Sequence, residues 1–349
     1  MRIAIDLTSL NMRKRTGMEM YAIDFYRSLL TTEHQIVPIF HGQNEVDDNP
    51  AAFIIPKCKR LWLENFALSR AVRKINADVV VFPVFPPPID VYYGCKSKIY
   101  HTIHDTVSHR LRNTQNLAAK YYYQPKSKMF FWKGDGIITI SETVKKQLQN
   151  ISNLPIFNLG ESIALEYKEA VKHVNKYHLE KWNLVPNGYY ISVSTIEPRK
   201  NIEYLLEVFI PILKEQRRKL VLVGRKGWGG NKRLQQMIEK AGDNLVFTDY
   251  VTTEELFSLY HYAYAYTSLS IDEGFGRTPY EAVACGCKRV VLSDIDIFRE
   301  TFEGNALFLP LYDYDKAQAL MANVDNCIVK DNFELPYDVV EKRIKELKW

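Results

Sequence analysis

The run Glu273-Gly274-Phe275-Gly276-Arg277-Thr278-Pro279-Tyr280-Glu281 sets two carboxylates eight residues apart around a turn that opens into a helical pattern. Gly274 and Gly276 let the backbone approach a ligand closely and take positive φ. The amides that follow lie near a helix start, where unsatisfied N–H groups and the dipole attract anions. The stretch reads as a seat for a sugar joined to phosphate. Thr278, Pro279 and Glu281 also spell a capping box, with Thr278 as N-cap, Pro279 at the first helical position and Glu281 at the third. The two roles are compatible, and no cap requires Glu273.

Ligands of doubly wound sheets gather beyond the carboxyl ends of strands, so residues that follow predicted strands carry weight. Thr195-Ile196-Glu197-Pro198-Arg199-Lys200-Asn201 places two cations side by side at a helix start. Cations there oppose the dipole, and an anionic ligand supplies a reason: Arg offers a planar fork for phosphate oxygens and Lys a point charge. A solvated basic pair is the bland alternative. Gly224-Arg225-Lys226-Gly227-Trp228-Gly229-Gly230 follows another strand, but its glycines are spaced wrongly for a dinucleotide fingerprint, which disfavours a nicotinamide enzyme.

Thr16-Gly17-Met18 stands in the loop after the first strand, in a phosphate-compatible position or as a plain helix start. His104-Asp105 follows a strand, where an imidazole beside a carboxylate can hydrogen-bond a sugar hydroxyl. Asp294-Ile295-Asp296 and Asp313-Tyr314-Asp315 mimic the D-x-D of metal-dependent sugar transferases. Asp294 is better read as a helix cap, and neither motif has further oxygen ligands nearby in sequence. Cys285-Gly286-Cys287 lacks a second cysteine or histidine pair, so small reduced core residues are a better reading than zinc ligands.

The elements that must hold these residues are short apolar strands alternating with amphipathic helices, the pattern of parallel sheets wrapped by helices. Strands are expected at residues 2–6, 35–40, 78–82, 98–103, 136–140 and 155–159, and again at 189–194, 219–223, 244–248, 263–267, 289–292 and 306–309. Six strands per half predict two Rossmann-like units with a cleft between them. Val185-Pro186-Asn187-Gly188 is strong turn chemistry and marks the expected boundary. Residues 83–88 (Pro-Val-Phe-Pro-Pro-Pro) read as a rigid loop after a strand. Residues 121–133, rich in aromatics, read as a packed helix in preference to a membrane-touching one. Residues 337–349 carry Val339, Val340, Ile344 and Leu347 at helical spacing, an amphipathic helix that must pack on something.

The chain has 349 residues, 46% of them hydrophobic, enough for two ordinary cores. Residues 1–188 hold 25 Lys and Arg against 17 Asp and Glu, whereas residues 189–349 hold 21 against 24. The basic first half fits an anionic acceptor or an anionic membrane surface; a solvated basic face explains it equally well. The opening Met1-Arg2-Ile3-Ala4-Ile5-Asp6 looks like a first strand and unlike a signal peptide. No apolar run is long enough for a membrane span, so a cytoplasmic location is expected.

Taken together, the stretches Thr16–Tyr21, Ile103–Asp105, Ile137–Ser141, Ser194–Asn201, Leu220–Gly230 and Ala265–Glu300 resemble, in order, the retaining nucleotide-sugar glycosyltransferases of family 4. The E-x7-E pair of that family is intact as Glu273 and Glu281. The resemblance implies an α/β GT-B fold. It places an acceptor domain over residues 1–186, a donor domain over 187–331 and a helix over 332–349 that crosses back to the first domain. It assigns catalysis to Glu273, His104, Arg199 and Lys200, with the two cations on the diphosphate and Glu273 on the donor sugar. Donor binding falls to Gly17, Asp105, Gly274, Phe275, Gly276, Glu281 at the ribose, and Asp249, Tyr250 and Val251 beside the base.

The implied reaction moves a hexosyl group from a nucleotide-diphosphate sugar, GDP-mannose first, to a hydroxyl of a glycan or polyprenyl-diphosphate-linked glycan. It proceeds with retention, with no metal, no separate cofactor and no nucleic-acid partner, in the synthesis of surface polysaccharide. A peripheral contact between the basic first domain and an anionic membrane fits that setting. The alternative is a non-catalytic sugar-nucleotide-binding subunit on the same fold. Arg277-Thr278 replaces the usual Leu-Pro in the turn, and Arg277 is expected to touch an acidic sugar or acceptor.

Overall fold

The computed structural model describes residues 1–10, 17–44, 46–106, 129, 131–224 and 232–349. The chain divides into two compact units, Met1–Ser162 joined by Asp338–Trp349, and Ile163–Tyr337. In the first, strands β1 (Arg2–Asp6), β2 (Gln35–His41), β3 (Phe53–Ile55), β4 (Val79–Phe82), β5 (Lys98–Ile103), β6 (Gly136–Thr139) and β7 (Ile156–Asn158) form a parallel sheet in the order β3-β2-β1-β4-β5-β6-β7. In the second, β8 (Tyr189–Val193), β9 (Lys219–Val223), β10 (Leu245–Asp249), β11 (Ala265–Ser268), β12 (Val290–Ser293) and β13 (Leu307–Leu309) run parallel in the order β10-β9-β8-β11-β12-β13.

The central strands are buried almost along their whole length, as expected of parallel sheets covered on both faces. All four residues of β4 (Val-Val-Val-Phe) and of β12 (Val-Val-Leu-Ser) are buried. In the second unit the helix Ile202–Gln216 buries Leu205, Leu206, Val208, Phe209 and Leu213. Pro211 lies inside it and has no N–H for the carbonyl four residues back. The side-chain amide of Gln318 donates to that carbonyl, Glu207 O, at 3.4 Å.

All twelve expected strands are present, most within a residue or two of their expected ends. The unexpected one is β3. Its three residues pair only with β2 at the sheet edge, too short a run for any periodicity to show.

The boundary also falls elsewhere. The turn at 183–188 exists, with Asn183 and Asn187 at positive φ and Gly188 N bonded to Val185 O at 3.0 Å. It lies inside the second unit, because Leu165–His173 and Lys176–Trp182 form 3-10 turns that pack against the helix Thr253–His261 of that unit. Turn chemistry marks a reversal, and only the packing partners of the flanking segments tell which unit owns it.

Residues 338–349 return to the first unit. The helix Val339–Glu346 packs on the helix Gly17–Leu30, and the Trp349 ring meets Tyr100 edge-on at 5.2 Å. Val340 and Ile344 are buried, each 1% exposed. Among the described residues no helix is long and apolar enough to cross a membrane. Ile344→Ala should destabilise the first unit by about 2–5 kcal/mol through lost burial and the cavity left behind. Urea denaturation followed by circular dichroism measures it, and an unchanged midpoint would show that the helix contributes nothing.

Candidate functional site

Strand order in the second sheet reverses between β8 and β11, and crevices for ligands form beyond the carboxyl ends at such a switch. The two loops leaving those strands carry the charged residues. After β8 the chain makes a 3-10 turn over Pro198–Lys200, then passes Asn201 at φ 54° into the helix Ile202–Gln216. After β11 it descends through Ser270 and Ile271. The amide of Ile271 donates to Arg199 O at 3.0 Å, which stitches one loop to the other.

This stitching brings Glu273 onto both cations. Lys200 Nζ donates to one carboxylate oxygen at 2.6 Å and Arg199 Nη1 to the other at 2.8 Å. Arg199 is further held by Glu197 Oε1, through Nε at 3.2 Å and Nη2 at 3.0 Å. Glu273 is only 8% exposed. Burial alone would push its carboxyl up, but Lys200 and Arg199 more than offset this and hold it down at about 2. Glu273 is therefore a fixed negative charge at neutral pH, too weak a base for proton transfer there.

The E-x7-E turn ends differently from the sequence expectation. The helix runs Arg277–Ala284 with Gly276 as N-cap at φ 82°, so the capping box headed by Thr278 does not form. Tertiary contact outweighs the local cap signal here: the Thr278 hydroxyl lies 2.6 Å from Tyr266 Oη on β11. Only glycine suits position 276, since an added Cβ would lie 2.7 Å from the Phe298 ring. With no side-chain cap at Gly276, the first amides of this helix are left to other acceptors.

Glu281 sits one turn into the helix beside Tyr167 and Tyr260, and burial raises its carboxyl pKa while Arg277 opposes the rise. Arg277 Nε is 3.6 Å from Glu281 Oε1 along the same helix. Phe275 stacks on Tyr280 at 5.3 Å, so its side chain belongs to the core.

The other expected residues are spread over the two units. Asp249 closes β10 at φ 54°, its carbonyl accepting from Gly224 N at 3.2 Å, and it leads into Val251 through Tyr250, which is 91% exposed. Gly224, at φ 134°, passes so close to Ser194 that an added Cβ would lie 2.3 Å from Ser194 O. Residues 225–230 of that glycine-rich loop lie outside the described residues, as do Thr16 and most of 121–133.

Gly17, His104 and Asp105 belong to the first unit. Gly17 starts the helix Gly17–Leu30. His104 Nε2 lies 2.8 Å from Pro83 O, and its ring meets Tyr21 edge-on at 4.9 Å. Asp294 is not a cap, because the helix after β12 begins at Asp296; its carboxylate instead grips Arg299 at 2.7 and 2.9 Å. Asp313 does cap, accepting from Lys316 N. Cys285 and Cys287 are free, buried thiols, with burial raising the Cys287 pKa to about 11.

Several site neighbours were missing from the sequence reading. Tyr167 and Tyr260 come from segments with no motif of their own. Ser270 and Glu197 stood beside recognised residues without being singled out. A cavity of about 390 Å³ in the first unit, at the carboxyl ends of β1, β2 and β4, is lined by Asp6, Thr8, His41, Arg60, Glu64 and Pro86. Asp6 is 4% exposed, and burial lifts its carboxyl to about 6 against hydrogen bonds from Thr8. The strand-end rule that singled out His104 applies equally to Asp6.

Residues 178–328 match the family model of glycosyl transferases group 1, and residues 15–155 match that of glycosyltransferase family 4. The O-antigen chain mannosyltransferase RfbU of Salmonella typhimurium is 29% identical over 59% of this chain and 55% of its own length. O-antigen chain mannosyltransferase B of Escherichia coli is 24% identical over 87% of this chain and 85% of its own. The chain spans 20% and 55% of the lengths of the first two curated relatives it matches. Among solved structures, Anabaena Alr3699/HepE in complex with UDP and glucose superposes with a TM-score of 0.68 at 14% identity, covering 99% of this chain and 98% of that one.

The charge cluster gives a pH signature. A carboxyl held at about 2 in the folded state against an ordinary 4.5 contributes stability that is complete above pH 4.5 and drains away as pH falls toward 2. Glu273→Gln should cost about 1–3 kcal/mol at neutral pH. The gap between variant and parent should close through that acid window. A gap that stays constant down to pH 2, in urea melts at stepped pH, would refute the arrangement.

Proposed function

We propose that the chain, a member of the family 4 glycosyltransferases with the GT-B fold, transfers a hexosyl group from GDP-mannose to a hydroxyl of a glycan or polyprenyl-diphosphate-linked glycan, with retention of configuration. The observation that carries this is Glu273 locked between Lys200 and Arg199 beside the uncapped start of helix Arg277–Ala284. As the sugar leaves, negative charge develops on the departing diphosphate. Two cations already held in place by Glu273 and Glu197, and helix amides nearby, stabilise that charge without reorganising. Glu281 accepts from ribose hydroxyls, Glu273 from the donor sugar, and Tyr250 flanks the base.

Retention fits the electrostatics of Glu273. A carboxylate neutralised by two cations is a poor nucleophile, so a covalent glycosyl-enzyme through it is disfavoured. The leaving diphosphate then serves as the base that takes the acceptor's proton on the same face. Mannose and the setting in surface-polysaccharide assembly are supported by the O-antigen mannosyltransferase relatives. A solved neighbour holds UDP and glucose, so the base and sugar are the first things to measure.

Donor hydrolysis to water needs no known acceptor. A screen over GDP-, UDP- and dTDP-sugars should show GDP-mannose consumed fastest, and Lys200→Ala should slow it by about 10²–10³-fold. Turnover within about threefold of the parent would remove the phosphate role of Lys200. Nucleotide binding without hydrolysis of any donor would favour a non-catalytic subunit.

A further inference from the structure

Between Lys57 and Lys74 six basic side chains stand against one carboxylate, Glu64. The chain there is helical through Arg60–Trp62, a π-turn over Leu63–Ala67 and the helix Leu68–Ile75. Its inner side is accounted for: Leu63, Leu68, Ala71, Val72 and Ile75 are core, while Arg60 pairs with Glu64 at 2.6 Å on the wall of the first-unit cavity. Its outer side carries Leu61 at 64% exposure, Trp62 at 56% and Phe66 at 56%. The Trp62 and Phe66 rings lie 4.8 Å apart, so the three residues make one apolar ridge. Lys57, Lys59 and Arg70 are exposed along the same stretch.

Water is a poor environment for such a ridge, and a soluble face has no use for it. A leucine and two aromatic rings bordered by lysine and arginine suit the interface of a bilayer, where rings lodge among headgroups and cations meet anionic phosphates. Charge complementarity therefore selects the occupant. We propose that the Leu61-Trp62-Phe66 ridge, with Lys57, Lys59 and Arg70, seats the first unit on an anionic phospholipid surface. The inference rests on the reading above in one respect: a lipid-linked acceptor is delivered at such a surface. The inner side of the same helical stretch lines a cavity in that unit, so docking brings the cavity wall to the membrane.

Vesicle binding is read without turnover, so either reading can fail alone. The full chain should co-sediment with phosphatidylcholine vesicles containing phosphatidylglycerol, bind pure phosphatidylcholine weakly, and detach as salt is raised. Leu61→Ser/Trp62→Ser/Phe66→Ser should weaken binding by about tenfold or more at every salt concentration. The exposed charge variant Lys57→Glu/Lys59→Glu should abolish the preference for phosphatidylglycerol while leaving circular dichroism and donor hydrolysis unchanged. Parent protein that ignores anionic vesicles, or ridge and charge variants that bind them as well as the parent, would overturn the proposal. So would a ridge variant that changes the oligomeric state and not vesicle binding, which would make the ridge a protein interface.

Discussion

One carboxylate shared by two cations organises the second unit. Glu273 could not remain ionised at 8% exposure without Lys200 and Arg199, and those two could not stand side by side at a helix start without a negative partner. Each charge is tolerable only because the others are there. The cluster also ties the loop after β8 to the loop after β11, the two strands between which the sheet changes direction. Its geometry is thus set by the sheet and not by the loops alone.

The same logic explains the choice of small residues around it. Gly276 must be glycine because the chain turns left-handed against Phe298 where the helix begins. Gly224 must be glycine because its own backbone lies against Ser194 O. These close approaches leave backbone amides where side chains would otherwise stand, and a diphosphate is a ligand best met by amides and cations together. The first unit follows a parallel plan at its own switch, between β1 and β4, but lines it with acids, a histidine and the single arginine Arg60 in place of paired cations.

Much of this was legible in the sequence, because parallel strands buried on both faces announce themselves as β-branched runs and because residues after strands fall where ligands bind. Lys200 and Arg199 stand out that way and Glu273 by its spacing from Glu281, and the three do meet. What failed were inferences that treated local chemistry as decisive. Thr278 spells a cap, but its hydroxyl serves Tyr266. Asp294 spells a cap, but it holds Arg299. Residues 183–188 spell a boundary, but the 3-10 turns before them already pack into the second unit. For Thr278 and the 3-10 turns a partner farther along the chain outcompeted the local signal, and for Asp294 an arginine five residues on displaced a cap of about 1 kcal/mol. Tyr167 and Tyr260 had no signal at all, since burial beside Glu281 is a property of the assembled fold.

The return of residues 338–349 to the first unit has a consequence for biogenesis. During synthesis the ribosome releases the first sheet early, yet the surface formed by helix Gly17–Leu30 stays uncovered until the entire second unit has emerged. The second unit is continuous in sequence. The first sheet, made earlier, therefore waits for residues 338–349 before its Gly17–Leu30 flank is covered, which couples completion of the first unit to synthesis of the second.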